Sequence, residues 1–220
     1  RENGEPKESV SLLRRATLEY PGDFWLNLEM GNSLSKILPL PLEEVASWYR
    51  SAVALSPRSS IAWSNLAMIQ QRQGRIDEAR ASIAQALKLQ PDNPFALLNR
   101  ALTSAMRYDG DRMESEARQL LEVYPNAPVS KALLAFSMLT RELTPSEESI
   151  RLMDEAYRED RDNLIVAICR CLLLYRQGKL MEFARIATEL PKSYPDSAIA
   201  AGASALGLAV RGDLLALEQQ

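Results

Sequence analysis

Cys169 and Cys171, with the carboxylate pairs Glu43–Glu44, Asp77–Glu78 and Glu147–Glu148, are the residues whose types and spacing could do chemistry. Thiols of that kind serve as nucleophiles or metal ligands, and paired acids as general acid and base. Histidine is absent, which removes Ser–His and Cys–His activation, imidazole proton transfer and His-ligated metal sites together. Two cysteines two apart on a helix point about 200° away from each other, so a disulfide or a shared metal between them is not expected and they read as reduced packing thiols. Each carboxylate pair falls where a helix is expected to open, a place the helix dipole favours for acids without any catalytic role. The expectation is no catalytic residue, no metal site, no cofactor and no enzyme within this segment.

The elements behind these residues follow a ruler. Helix-stopping prolines stand at Pro21, Pro57, Pro91, Pro125 and Pro195, with Arg161 where another would lie, at intervals of 36, 34, 34, 36 and 34 residues. The best-formed unit is 60–93, with Trp63, Leu66, Ala67, Gly74, Ala79, Ile83, Ala86 and Pro91 at positions 4, 7, 8, 15, 20, 24, 27 and 32. A large residue at 4 and a Leu–small pair at 7 and 8 give one helix a packing face, and small residues at 20 and 27 let a second helix approach it. Gly74 supplies the reversal between them. This pattern resembles the tetratricopeptide repeat, and the resemblance implies an all-α, right-handed α-solenoid of helix–turn–helix repeats.

Counting from the prolines gives five complete repeats, 24–59, 60–93, 94–127, 128–163 and 164–197, in a single array over 1–220. The two long intervals are explained by two extra residues in the turns KILPLP and RELTPS. Half-repeats flank the array: in 1–23, Ser9, Leu13, Ala16 and Pro21 fit positions 20, 24, 27 and 32 of a second helix, and in 198–220 a first helix over 198–211 is expected to turn at Gly212. Without an initiating Met, and opening and closing inside repeats, the chain is expected to be a piece of a longer protein.

The first-helix windows hold nine basic residues and one carboxylate, Glu29, a formal charge of +8 against −11 for the rest of the chain. In arrays resembling this one, first helices line a concave groove, so the groove is expected to be neutral to basic and the back acidic. Helix-end cations also complement the dipole without any ligand, which leaves both readings of Lys36, Arg72, Arg107, Arg141, Arg176 and Arg211 open. Arg100 and Arg170, at the usually apolar position 7, have no explanation at this level beyond snorkelling of their stems.

The resemblance places groove-facing side chains at positions 2, 5, 6, 9, 12 and 13. The candidate peptide-binding residues are Ser64, Asn65, Met68, Gln71 and Arg72 in one repeat and Phe95, Leu98, Asn99 and Leu102 in the next. Asn65 and Asn99 share position 6, where related arrays use an asparagine ladder on the backbone of an extended peptide; an amide can donate to a carbonyl and accept from an N–H at once. Asn27 joins such a ladder only if Trp25 stands at position 4; the preferred register puts Met30 and Gly31 at positions 7 and 8 and Asn27 at 4. A carboxylate clamp for acidic chain ends is not supported, since only Asn99 fits its pattern. From 128 onward the same positions turn apolar, Leu133, Leu139 and Cys169 among them, and packing is the preferred reading over a trough for an amphipathic segment.

Function follows as a non-catalytic scaffold that binds an extended or helical peptide. An alternative comes from ATLEYPGDFWLNLEMGNSL, residues 16–34, which resembles the start of tetratricopeptide arrays attached to planctomycete-type bacterial serine/threonine protein kinases. That likeness implies a regulatory or dimerising arm whose partner is its own kinase domain, or a second copy in a homodimer. RNA recognition by a related helical repeat is disfavoured by the pI of about 5.3 and the net charge of −3. The stretch 198–210 is too short to span a bilayer, no membrane partner is expected, and the expected location is cytoplasmic.

Overall fold

The structure, a computed structural model, describes residues 4–218 apart from 38, 108 and 196, and side chains over 8–212 apart from those three and 198. Among the described residues it contains helices and no strand. In order these are α1 (Gly4–Glu19), α2 (Phe24–Leu34), α3 (Leu42–Leu55), α4 (Ser60–Arg72), α5 (Ile76–Leu89), α6 (Pro94–Met106), α7 (Gly110–Val123), α8 (Pro128–Arg141), α9 (Glu147–Glu159), α10 (Leu164–Arg176), α11 (Leu180–Ser193) and α12 (Ala198–Glu218). First helices thus begin at the first residue of each unit counted from the prolines.

A residue at the end of the preceding unit starts most of them. Asp23, Ser59, Asn93, Asn163 and Ser197 each accept, through a side-chain oxygen, from a backbone N–H in the first turn of the helix that follows. Ala127 has no such group, and Pro128 at the first helical position of α8 replaces the cap with a preset φ and one fewer N–H to satisfy. Gly74 and Gly178 reverse the chain at φ 74° and 70°, a left-handed backbone that costs other residues about 1–2 kcal/mol.

Two compact units divide the chain, Arg1–Thr103 and Ser104–Gln220. The first is built on a core of Leu28, Met30, Leu34, Val45, Ala46, Tyr49, Leu66 and Ile69, with Trp48, Trp63 and Met68 packed at its margin. Gly31 lets Tyr49 in: a Cβ there would lie 2.5 Å from the tyrosine Cε1. The second unit stacks α8 on α9 and α10, α10 on α11, and α12 on α11, around Ala167, Cys171, Leu174, Phe183, Ala187 and Leu190.

Gly212 is a correction to the expected turn. It lies inside α12, which runs on to Glu218. A glycine costs a helix only about 1 kcal/mol, and the Leu, Ala and Glu residues after it are strong helix formers, so a position 15 glycine without a left-handed φ does not end the helix.

Candidate functional site

The inner helices of the first unit, α2, α4 and the part of α6 up to Thr103, carry the expected groove residues, and they fall into three groups. One group is structural. Asn99 is 6% exposed and donates through Nδ2 to the Ser64 carbonyl, 3.0 Å away on the neighbouring inner helix. Gln71, also buried, donates through Nε2 to the Asn99 carbonyl and the Thr103 hydroxyl, both at 2.6 Å. Ser64 is buried with its hydroxyl directed to the Ser60 carbonyl. These three residues brace α4 against α6, and the Asn99 amide is no open rung of a ladder.

A second group lies between. Asn65 is half-buried and donates to Asn32 Oδ1 at 3.1 Å. The same oxygen accepts from the Tyr49 hydroxyl at 3.0 Å, while Asn32 donates to Glu29. Burial pushes the Tyr49 phenol up to about 12; a Ser35 hydrogen bond opposes the shift and the Glu29 charge adds to it. Asn65 thus touches the protein's own polar chain with one amide hydrogen and has a second to offer. Met68, Leu98 and Leu102 are partly buried.

The third group is exposed, and in it the expected Phe95 is one member of a row. Trp25, Ile61 and Phe95 occupy position 2 of three successive repeats and stand 69%, 47% and 60% exposed. The signal was present in the sequence as a large apolar residue recurring one place after each helix start. Lys36 and Arg72, both at position 13 and both exposed, form no ion pair among the described residues.

Register decides Asn27. It is buried and donates through Nδ2 to the Pro21 carbonyl at 3.0 Å, six residues back; Trp63 donates through Nε1 to the Pro57 carbonyl, also six back, at 2.9 Å. The shared bond puts both at position 4, where they tie the helix to the preceding proline turn.

Four inner-helix cations of the second unit find partners within it. Lys131, which replaces an aromatic at position 4, reaches Glu155 at 3.3 Å and Glu159 at 2.8 Å, and the hydrogen bond to Glu159 raises its ammonium above the usual lysine range. Arg170 pairs with Asp154 and lies over the Tyr157 ring, which accounts for a guanidinium at an apolar position. Arg141 pairs with Asp111 and Glu114, and Arg176 donates to the carbonyls of Glu142 and Leu143. Of the apolar run from 128 onward, Ala132, Leu133, Leu139 and Cys169 are buried, Val129, Phe136, Ile165, Ile168 and Leu172 are half-buried, and Tyr175 is exposed, so the run packs only in part. Both cysteines are free and buried; burial pushes the Cys171 thiol up to about 12 and Cys169 further still. Among the described residues no cluster of three or more His, Cys, Asp or Glu could hold a metal, and no helix is long and apolar enough to cross a membrane.

Known proteins agree with this geometry. The tetratricopeptide repeat family model matches residues 60–93. A TPR repeat-containing protein of Pseudomonas aeruginosa, PA4667, is 26% identical over 125 residues, 57% of this chain and 21% of its own. The chain therefore spans about a fifth of that relative's length. Among solved structures, a chain of the APC/C hetero-tetramer Cut9–Hcn1 shares the fold over 92% of this chain and 39% of its own, with a TM-score of 0.71 at 12% identity. Pseudomonas aeruginosa pilF does so over 92% and 90%, at TM-score 0.65 and 18% identity. YrrB, described as a TPR protein with an unusual peptide-binding site, covers 87% and 96%, at TM-score 0.55 and 14% identity. One unit of the chain, 60–93, thus matches the tetratricopeptide repeat in sequence, and the solved structures share the chain's all-α solenoid fold.

Proposed function

We propose that the chain is a protein-interaction scaffold without chemistry of its own, and that α2, α4 and α6 receive a peptide along the row Trp25, Ile61 and Phe95. The observation that carries this reading is the exposure of three large apolar side chains at one register position of consecutive repeats. Inner helices lie side by side closely enough for Asn65 to bond Asn32 and Asn99 to bond Ser64, so successive row members are separated by roughly one interhelical distance of about 8–10 Å. An extended peptide advances about 3.3 Å per residue, which matches apolar side chains three apart. Lys36 and Arg72 add an open positive flank, favouring a neutral or acidic ligand. Asn65 supplies a backbone contact, while Ser64, Gln71 and Asn99 hold the surface in shape.

The test is affinity capture with the 220-residue chain as bait, against Ile61→Asp/Phe95→Asp and a Leu143→Asp control on an exposed turn. Partners retained by wild type and control and lost from the double variant support the row; equal capture by all three removes it. The kinase-arm reading rests on the resemblance of 16–34 and is tested by adding a catalytic domain of that kinase type in the same assay.

A further inference from the structure

The inner face of the first unit is marked at both ends, and the distance between the marks limits what can lie on it. The apolar row Trp25, Ile61 and Phe95 stands at position 2, and the exposed cations Lys36 and Arg72 stand at position 13 of the first two complete repeats. In α4 both marks lie within the helix, eleven residues apart. Eleven residues advance about 16.5 Å and complete three turns to within about 20°, so Ile61 and Arg72 look out of the same face. Between the marks the face is mixed. Met68, Leu98 and Leu102 are half-buried, as are Asn32 and Asn65, while Glu29 is exposed and accepts from Asn32 and Ser33. Glu29 is the one carboxylate of the inner helices in this unit, and neither Lys36 nor Arg72 forms an ion pair with it or with any other described residue.

A strand with apolar residues three apart keeps step with the row but satisfies only that mark. Its side chains alternate between two opposite faces, so one set meets the protein, the other meets solvent, and the cations about 16.5 Å away stay uncovered. An α-helix has a body of about 10–12 Å and side chains all round it. Laid across α2, α4 and α6, it sets an apolar stripe on the row and on Met68, Leu98 and Leu102, and the neighbouring edge reaches Lys36 and Arg72. Row members are about 8–10 Å apart and a helix advances about 10.5 Å in seven residues, so a single stripe keeps step with all three.

We propose that this face takes an amphipathic helix of a partner protein, with an apolar residue at every seventh place and an edge of Asp or Glu set against Lys36 and Arg72. Charge complementarity selects the edge, because the two cations are open and have no acid of their own. The inference rests on the row being the binding surface, and adds the form and the charge pattern of what binds there.

The test selects binders of the 220-residue chain from a displayed library of random peptides long enough to cross three inner helices as a helix, about 20 residues. The selected peptides are measured by fluorescence anisotropy and circular dichroism. Expected are peptides that gain helix on binding, repeat an apolar residue at every seventh place beside acids, and fail to bind Ile61→Asp/Phe95→Asp. Lys36→Ala/Arg72→Ala should weaken them by on the order of tenfold at low salt and leave them unchanged near 1 M, where charges are screened beyond about 3 Å. A variant that had merely lost its shape would lose affinity at both. Row-dependent peptides that stay extended, or that bind Lys36→Ala/Arg72→Ala as tightly as wild type, overturn the helix and leave the row standing. Peptides indifferent to Ile61→Asp/Phe95→Asp, or no binders at all, remove the row and this proposal with it. A mass that rises with concentration in wild type but not in Ile61→Asp/Phe95→Asp gives the face to a second copy instead.

Discussion

Asn99 on α6 donates its side-chain amide to the main-chain carbonyl of Ser64 on α4, 35 residues earlier, across 3.0 Å in a site almost closed to solvent. Losing a bond of this kind costs about 0.5–1.5 kcal/mol, because the Ser64 carbonyl lies inside α4 and keeps its place in the helix ladder. Asn99→Ala should therefore lower the denaturant midpoint of the chain, while Asn65→Ala, half exposed and bonded to a side chain, should move it much less. Equilibrium urea unfolding of the two variants checks the ranking, and equal shifts would contradict it.

Glycine replacements should separate space from backbone strain. Gly31→Ala puts a methyl 2.5 Å from the Tyr49 ring in the core of the first unit, and overpacking of this kind costs about 1–3 kcal/mol. Gly74→Ala meets nothing within 4 Å but must hold φ at 74°, so its cost is set by the left-handed backbone alone, about 1–2 kcal/mol. Gly74→Asn should recover part of that loss and Gly31→Asn none, read from the same unfolding curves.

Acid should weaken the second unit through Glu142. Burial pushes that carboxyl upward, but hydrogen bonds from Ser146 and Ser149 and the charge of Arg176 outweigh it and hold Glu142 below its ordinary range. A depressed folded value means the unfolded chain takes up the proton first. The stabilisation is complete above the unfolded carboxylate value of about 4.3 and disappears as pH falls through the lower, folded one. Glu142→Gln should flatten the acid limb of stability against pH; an unchanged limb would place the acid sensitivity elsewhere.

Thiol reactivity should report unfolding alone. Cys169 and Cys171 are buried and protonated at neutral pH, so an aromatic disulfide reagent should leave the native chain unlabelled and react with two thiols per chain in denaturant. Rapid labelling of the native chain would contradict the packing around α10.

Much of the hairpin plan was legible because it is local. Prolines, the left-handed glycines and the acids at the openings of α3, α5 and α9 act within a few residues of themselves, so their spacing carries their meaning. The cap residues Asp23, Ser59, Asn93, Asn163 and Ser197 were equally local and could have been read from the same ruler. Side chains whose roles depend on the neighbouring repeat were not. Asn65 and Asn99 share one position, yet one faces a side chain at a half-open edge and the other a buried carbonyl, because the difference lies in what the adjacent inner helix presents. Lys131 and Arg170 looked like breaks in the pattern until their acids, on α9, were in view. Gly212 shows the opposite failure: a residue in the right place is no turn without the backbone angle that makes it one.

The longer turn between α8 and α9 absorbs its extra residues without displacing the helices from register, and Leu143 at its crest is 97% exposed. Closing a longer loop costs little, about 0.6 kcal/mol for each doubling of its length. That turn is thus a natural insertion port: a short epitope or a fluorophore-accepting tag placed after Leu143 would give the chain a reporter while α8 and α9 keep their seats.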